Sequence, residues 1–200
     1  MSLFTTIALA IGSSWISGIN LYITVATLGL LGRFAGLQLP GELSILTNWW
    51  IIGIALFLFL VESIADKIPI VDTAWDAVHT FIRVPAGAVL AATAFGDFNT
   101  GVQVVAFLLG GGLALSSHGT KAATRAAINT SPEPVTNIAA SVVEDIFAVG
   151  SLLLAAFHPT IFIALFVVVI LGSIILIPRA VATLRGLLGR RGNVREHECR

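Results

Sequence analysis

The stretch LFLFLVESIADKIPIVDTAWDAVHTFIR, residues 56–83, decides how this chain is read. It opens inside an apolar run and then turns acidic. Glu62, Asp66, Asp72 and Asp76 fall within fifteen positions, with His79 just behind. An apolar chain that gathers its ionisable groups in one place marks a functional region there, because each such group is costly in a membrane.

The rest of the chain supports that setting. Of its 200 residues, 56% are hydrophobic and 11% charged, whereas an ordinary soluble domain carries roughly a quarter charged residues. Mean hydropathy is +0.96. The fold class expected is all-α, a polytopic membrane protein. A β-barrel would need alternating segments of about ten residues, but the apolar runs here are continuous, as in 161–177. Basic and acidic residues balance at a formal charge of zero, which gives no nucleic-acid footprint. The expected partners are membrane lipids, with self-association into a homo-oligomer left open. The lone Cys199 excludes a disulfide framework and a cysteine-based metal site within one chain. The N-terminus has no basic n-region or clear cleavage site, so its first apolar run is expected to stay.

Six spans are expected, at about 3–31, 44–65, 71–95, 102–128, 135–157 and 160–177. The first is interrupted by Gly12, Ser13, Ser14, Ser17, Gly18 and Asn20, which leaves a straight crossing, a kinked helix and a re-entrant pair open. Pro69, Pro132 and Pro134 break the chain, Pro85 is expected to kink the third span, and His158-Pro159 reads as a turn. The last span is expected to continue as a basic interfacial helix to Arg191, followed by a disordered polar tail at 192–200. One transmembrane domain, 1–191, results. Lys and Arg favour cytoplasmic loops. A cytoplasmic N-terminus puts ten of the eleven basic residues inside and only Arg33 outside. Both termini are therefore expected on the cytoplasmic side of the inner (plasma) membrane.

Segments one and four both carry a glycine/serine interruption, and Gly18 aligns with Gly119. This suggests an inverted repeat of two three-helix halves, 1–99 and 100–191, with broken first helices. That arrangement is a transporter design; the plain alternative is that small residues serve as packing faces.

This orientation collects Glu62, Asp66, Asp72, Asp76, His79, Ser117, His118, Lys121, Arg125 and Glu144 at the inner half of the protein. Glu62/Asp66 and Lys121/Arg125 are each four apart on one helical face, and Asp72, Asp76 and His79 share another. Acid pairs at that spacing repel, so they call for a basic partner or a cation such as Mg²⁺, with Glu62, Asp66 and Asp72 as its ligands. Glu62 and Glu144, flanked by apolar residues, are the strongest candidates. Asp72 has two plain readings, a solvated cytoplasmic turn or a helix N-cap. His79 can be an interfacial histidine, and His197 with Cys199 is too sparse for a metal site.

The motifs SSWISGINLY, FLVESIADKIPIVDTAWDAVHT, SSHGTKAATRAAINTSPEP and EDIFAVG, in that order, resemble a bacterial family of small integral membrane proteins known as domain of unknown function 4126. The resemblance covers about 3–185 and implies the membrane class, with no activity or functional residues to carry over. A more distant similarity of design links Glu62/Asp66 and the Ser116–Arg125 region to membrane phosphatases acting on undecaprenyl pyrophosphate, whose PGxSRSG-like signature is absent here. Three readings follow. The first is a small transporter or flippase for an anionic or phosphate-bearing solute or lipid. The second is a non-catalytic structural or assembly protein. The third is a metal-dependent lipid-phosphate phosphatase using Ser117 or His118.

Overall fold

The computed structural model describes residues 2–129, 134–175 and 179, and the described residues form helices joined by short connections. The expected basic helix to Arg191 and the tail at 192–200 lie outside them. The helices are α1 (Leu3–Ile19), α2 (Leu21–Phe34), α3 (Trp49–Ala65), α4 (Pro69–Ala94), α5 (Thr100–Asn129), α6 (Pro134–Phe157) and α7 (Pro159–Ile175), with a 3₁₀ segment at Gly41–Thr47. The chain divides into two units, Met1–Phe162 and Ile163–Arg200. The second contributes only the remainder of α7 and residue 179 to the described residues.

Three helical stretches are long and apolar enough to cross a membrane: Val71–Ala94, Thr100–Ile128 and Val135–Phe157. A fourth arises if Gly41–Thr47 and Trp49–Ala65, bent by 72°, count together. The protein is thus an all-helical membrane protein. The second span starts later than its composition suggests, because Asn48 caps α3, its Oδ1 accepting from the Trp50 amide at 2.9 Å. α4 stays helical through Pro85.

The first apolar segment is two helices, not one continuous helix. Asn20 has extended backbone and ends α1, while its Oδ1 accepts from the Ile23 amide at 3.0 Å and starts α2. An asparagine N-cap satisfies an otherwise orphaned helix N–H. Beyond Asn20 the chain turns back. Arg33 near the end of α2 donates to the Thr47 carbonyl at 3.2 Å and lies 4.3 Å over the Trp49 ring. Leu3 and Thr6 of α1 share a cavity with Pro40, Gly41, Ala94 and Phe98. Both outer ends of the pair therefore sit beside the connection between α4 and α5, and the tip lies at the opposite end. The re-entrant alternative is the one observed. Ser2 and Lys67 consequently lie at opposite ends of the bundle.

α1 is the central helix and packs against α4, α5 and α6. Its middle is buried and built of small residues. A Cβ on Gly18 would stand 2.2 Å from the Ala114 carbonyl oxygen, and one on Gly87 2.5 Å from Ala114 Cβ. Only glycine permits approaches this close. The α1 hydroxyls return to backbone carbonyls: Ser14 Oγ donates to Gly87 at 2.9 Å and Ser17 Oγ to Ser14 at 2.8 Å. The matching interruption expected in segment four is absent, because α5 runs unbroken from Thr100 to Asn129. The two halves thus differ in their first element.

α4 turns the soluble pattern inside out. Asp72, Asp76, His79 and Arg83 are buried, while Val78, Phe81 and Ile82 are exposed, Phe81 by 83%. Steps of four, three and four place the charged residues on one stripe of a 3.6-residue helix. In lipid this is the stable arrangement, with apolar side chains outward and polar ones satisfied inside.

Candidate functional site

The charged stripe of α4 meets the ends of α3 and α5, the start of α6 and the tip of the α1–α2 hairpin. Glu62, Asp66, Asp72, Asp76, His79, Ser117, His118, Lys121 and Arg125 are all buried, and the Glu144 side chain is 20% exposed. The expected solvated turn at Asp72 is not found, since Asp72 is fully buried. Nor is Asp72 the cap of α4: Ile68 occupies that position and Asp72 lies in the first turn.

Arg83 stands at the deep end. Its guanidinium pairs with Glu62, and its Nη1 donates to Asp76 Oδ1 at 2.8 Å and lies 3.1 Å from His118 Nδ1. Thr80 Oγ1 lies 2.7 Å from His118 Nε2 and donates to the Asp76 carbonyl at 3.1 Å. The hydroxyl's one proton is then used, so Nε2–H donates to Thr80 and Nδ1 accepts from Arg83, a tautomer assigned from the bonding pattern. The Gly18 carbonyl oxygen is 3.2 Å from the same Nδ1.

Lys121 bridges the two ends. Its Nζ donates to the Ile19 carbonyl at 3.1 Å and Asp66 Oδ2 at 3.2 Å, and lies 3.6 Å from both Glu62 Oε1 and Glu144 Oε2. At the shallow end, Arg125 holds Glu144 with two parallel bonds, Nε to Oε1 at 3.1 Å and Nη2 to Oε2 at 2.8 Å. Such a fork adds geometric specificity to the charge attraction. Arg125 Nη1 donates to the Asp66 carbonyl and to Asn137 Oδ1, and Asn137 Nδ2 reaches the same Asp66 carbonyl at 3.0 Å. These bonds close the C-terminal end of α3, whose last carbonyls have no partner within the helix.

Among the described residues, four carboxylates (Glu62, Asp66, Asp76, Glu144) thus pair with three cations (Arg83, Lys121, Arg125). Asp145 adjoins them and accepts from Asn20 Nδ2 at 3.3 Å. The imbalance shows in unpartnered atoms. Glu62 Oε2, Asp66 Oδ1, Asp76 Oδ2 and Arg83 Nε are buried without a hydrogen-bond partner. Each such atom carries a desolvation cost of about 1–3 kcal/mol or more, which a proton, water or a small cation would relieve.

Among the described residues, no group of three or more His, Cys, Asp or Glu side chains is arranged to hold a metal ion. Ser117 faces α1: its Oγ donates to the Ala114 carbonyl at 3.1 Å and lies where a Gly18 Cβ would be. It packs α5 against α1 there. His79 stands to one side, stacked on Trp75 with ring centroids 4.3 Å apart and bonded to the Tyr22 hydroxyl at 3.0 Å.

Residues absent from the sequence-based set complete the network: Arg83, Asn20, Thr80, Asn137 and Tyr22. Arg83 had a legible signal. It follows Asp76 by seven positions on the same face and sits between Ile82 and Val84, too deep in an apolar segment for a loop residue. Asn20 and Asn137 had only their polarity as a signal.

A protein-family model described as "Domain of unknown function (DUF4126)" matches residues 7–179. No curated protein and no solved structure matches the chain. The family match takes in α1 through α7 almost whole, together with every residue of the buried network. The chain belongs to the DUF4126 family.

Proposed function

We propose that this protein is a small membrane transporter and that the buried acid–base network is its binding and coupling site. One observation carries the reading. Three buried carboxylate oxygens, on Glu62, Asp66 and Asp76, lack partners in a network where, among the described residues, acids outnumber bases. A structural ion-pair cluster gains nothing from such an excess, since unpaired buried charge destabilises. A transport site uses it, because intramembrane acids that take up and release protons or cations are the working parts of pumps and exchangers. An anionic or phosphate-bearing cargo, solute or lipid, fits this network only together with protons or cations that offset its acids. We assign coupling to Glu62 and Asp76, the partners of Arg83, and cargo contact to Lys121, which alone among the described cations touches both ends of the network.

On this reading the charged end faces the cytoplasm, where Lys and Arg accumulate, and the protein sits in the plasma membrane. The hairpin then enters from the outer side and the N-terminus is external. The cytoplasmic location of the C-terminus rests on its basic residues alone.

Proteoliposomes loaded with a pH-sensitive dye test the proposal. Inorganic phosphate, glycerol phosphate and short-chain phosphatidic acid are added in turn under an imposed inside-negative potential. Wild-type protein acidifies the lumen with at least one of them, and Glu62→Gln does not. If wild-type vesicles show no acidification under any of these conditions, the transporter assignment fails.

A non-transporting structural role is favoured by one observation, the saturated bonding of Arg125 to Asp66, Asn137 and Glu144. It describes that end of the network well and leaves the unpartnered acids unaccounted for.

A further inference from the structure

Between α4 and α5, at the charged end of the bundle, lies a cavity of about 220 Å³ lined by Thr73, Asp76, Ala77, Thr80, Ala122, Arg125 and Ala126. Thr73, Ala77 and Ala126 are exposed, whereas Thr80 and Ala122 are half-buried and Asp76 and Arg125 are buried. The lining thus grades from mouth to floor. Seven helical residues separate Thr73 from Thr80, about 10 Å at 1.5 Å per residue. The floor meets the deep end of the network, since Thr80 Oγ1 touches His118 and Asp76 pairs with Arg83.

The composition of the lining defines what fits there. Three alanines keep the walls small. The Arg125 guanidinium is engaged by Asp66, Asn137 and Glu144 and has little left to offer a ligand. Asp76 is 4% exposed and its Oδ2 has no partner. Carboxylate and threonine oxygens give the two to four polar contacts that an ordered water needs. At roughly 30 Å³ per water, the volume suits a short file of water rather than a lipid chain. We propose that this cavity is a water-filled inlet through which water and small hydrophilic cations reach Asp76 and the unpartnered acids behind it. The inference extends the transporter reading by giving its site an aqueous route, and the two can fail separately.

Cysteine accessibility tests it in the full chain, reconstituted in lipid nanodiscs on a Cys199→Ser background. Ala122→Cys reports the floor and Ala126→Cys the mouth. Val143→Cys, at a position 64% exposed on the apolar outer wall of α6, reports lipid. The probe is the small cationic reagent aminoethyl methanethiosulfonate, which reacts with thiolates and spares thiols kept protonated in an apolar setting. We expect Ala122→Cys and Ala126→Cys to react at least about tenfold faster than Val143→Cys. Equal rates at Ala122→Cys and Val143→Cys overturn the inlet. Should Ala122→Cys fail to fold, Thr80→Cys, equally half-buried on the facing wall, gives the same comparison. Fast labelling in a protein that carries no flux overturns the transporter reading and leaves the inlet standing.

Discussion

Arg125 and Arg83 belong to one buried network and are held in opposite ways. Arg125 has every side of its guanidinium occupied, by a carboxylate fork on α6, an asparagine and the carbonyl that ends α3. Arg83 is fully buried, yet its Nε has no partner, and each of its carboxylate partners keeps one unbonded oxygen. The first arrangement ties three helices together. The second stores unsatisfied polarity next to the cavity between α4 and α5. On the transporter reading, one end of the network maintains the fold and the other exchanges protons or ions.

The largest effect should come from Arg83→Ala. It strips the counter-charge from Glu62 and Asp76 at once, and removing one partner of a buried pair costs about 3–5 kcal/mol. Loss of monodisperse protein in detergent, or a steep fall in thermal unfolding temperature, is the expected outcome. Near-normal stability would break the comparison, because it would mean the deep end is already hydrated without its arginine.

Arg125→Lys sharpens the other side. A lysine keeps the charge and loses the planar fork, so stability should fall by about 1.5–3 kcal/mol while flux per folded molecule persists. Thermal unfolding followed by tryptophan fluorescence, beside vesicle flux, reads both. A smaller loss, about 0.5–2 kcal/mol, is expected for Asn20→Ala, which removes the cap of α2 and the bond to Asp145. The tip of the hairpin contacts both ends of the network, through His118 and Lys121. Asn20→Ala should therefore lower stability and flux together, and an effect on stability alone would detach the hairpin from function.

Much of this organisation is legible in the amino-acid sequence, and the misses have physical causes. Prolines and terminal charges mark the ends of α4 and α6, and four-residue spacing puts Glu62 with Asp66 and Lys121 with Arg125. The hairpin is hidden because one asparagine between apolar runs reads alike as a packed polar residue and as a double cap. Its two functions show only once the backbone at Asn20 is known to be extended. Arg83 is obscured by charge counting, which treats any basic residue near a span end as cytoplasmic, although its helix carries it into the protein. Asp72 is obscured by its distance from the centre of the span. Burial there depends on neighbouring helices and not on depth.

The central claim is that the Arg83 end works and the Arg125 end holds. Glu62→Gln and Glu144→Gln, compared in the same dye-loaded proteoliposomes, test it most directly. Both substitutions keep size while removing a charge and replacing one acceptor oxygen with an NH2 donor. Glu62→Gln is expected to lose flux per folded molecule by about tenfold or more, a change of about 1.4 kcal/mol in the transport barrier, whatever stability it also loses from Arg83. Glu144→Gln should lower the unfolding temperature and retain flux. The reverse pattern, or unchanged flux in both, would contradict it.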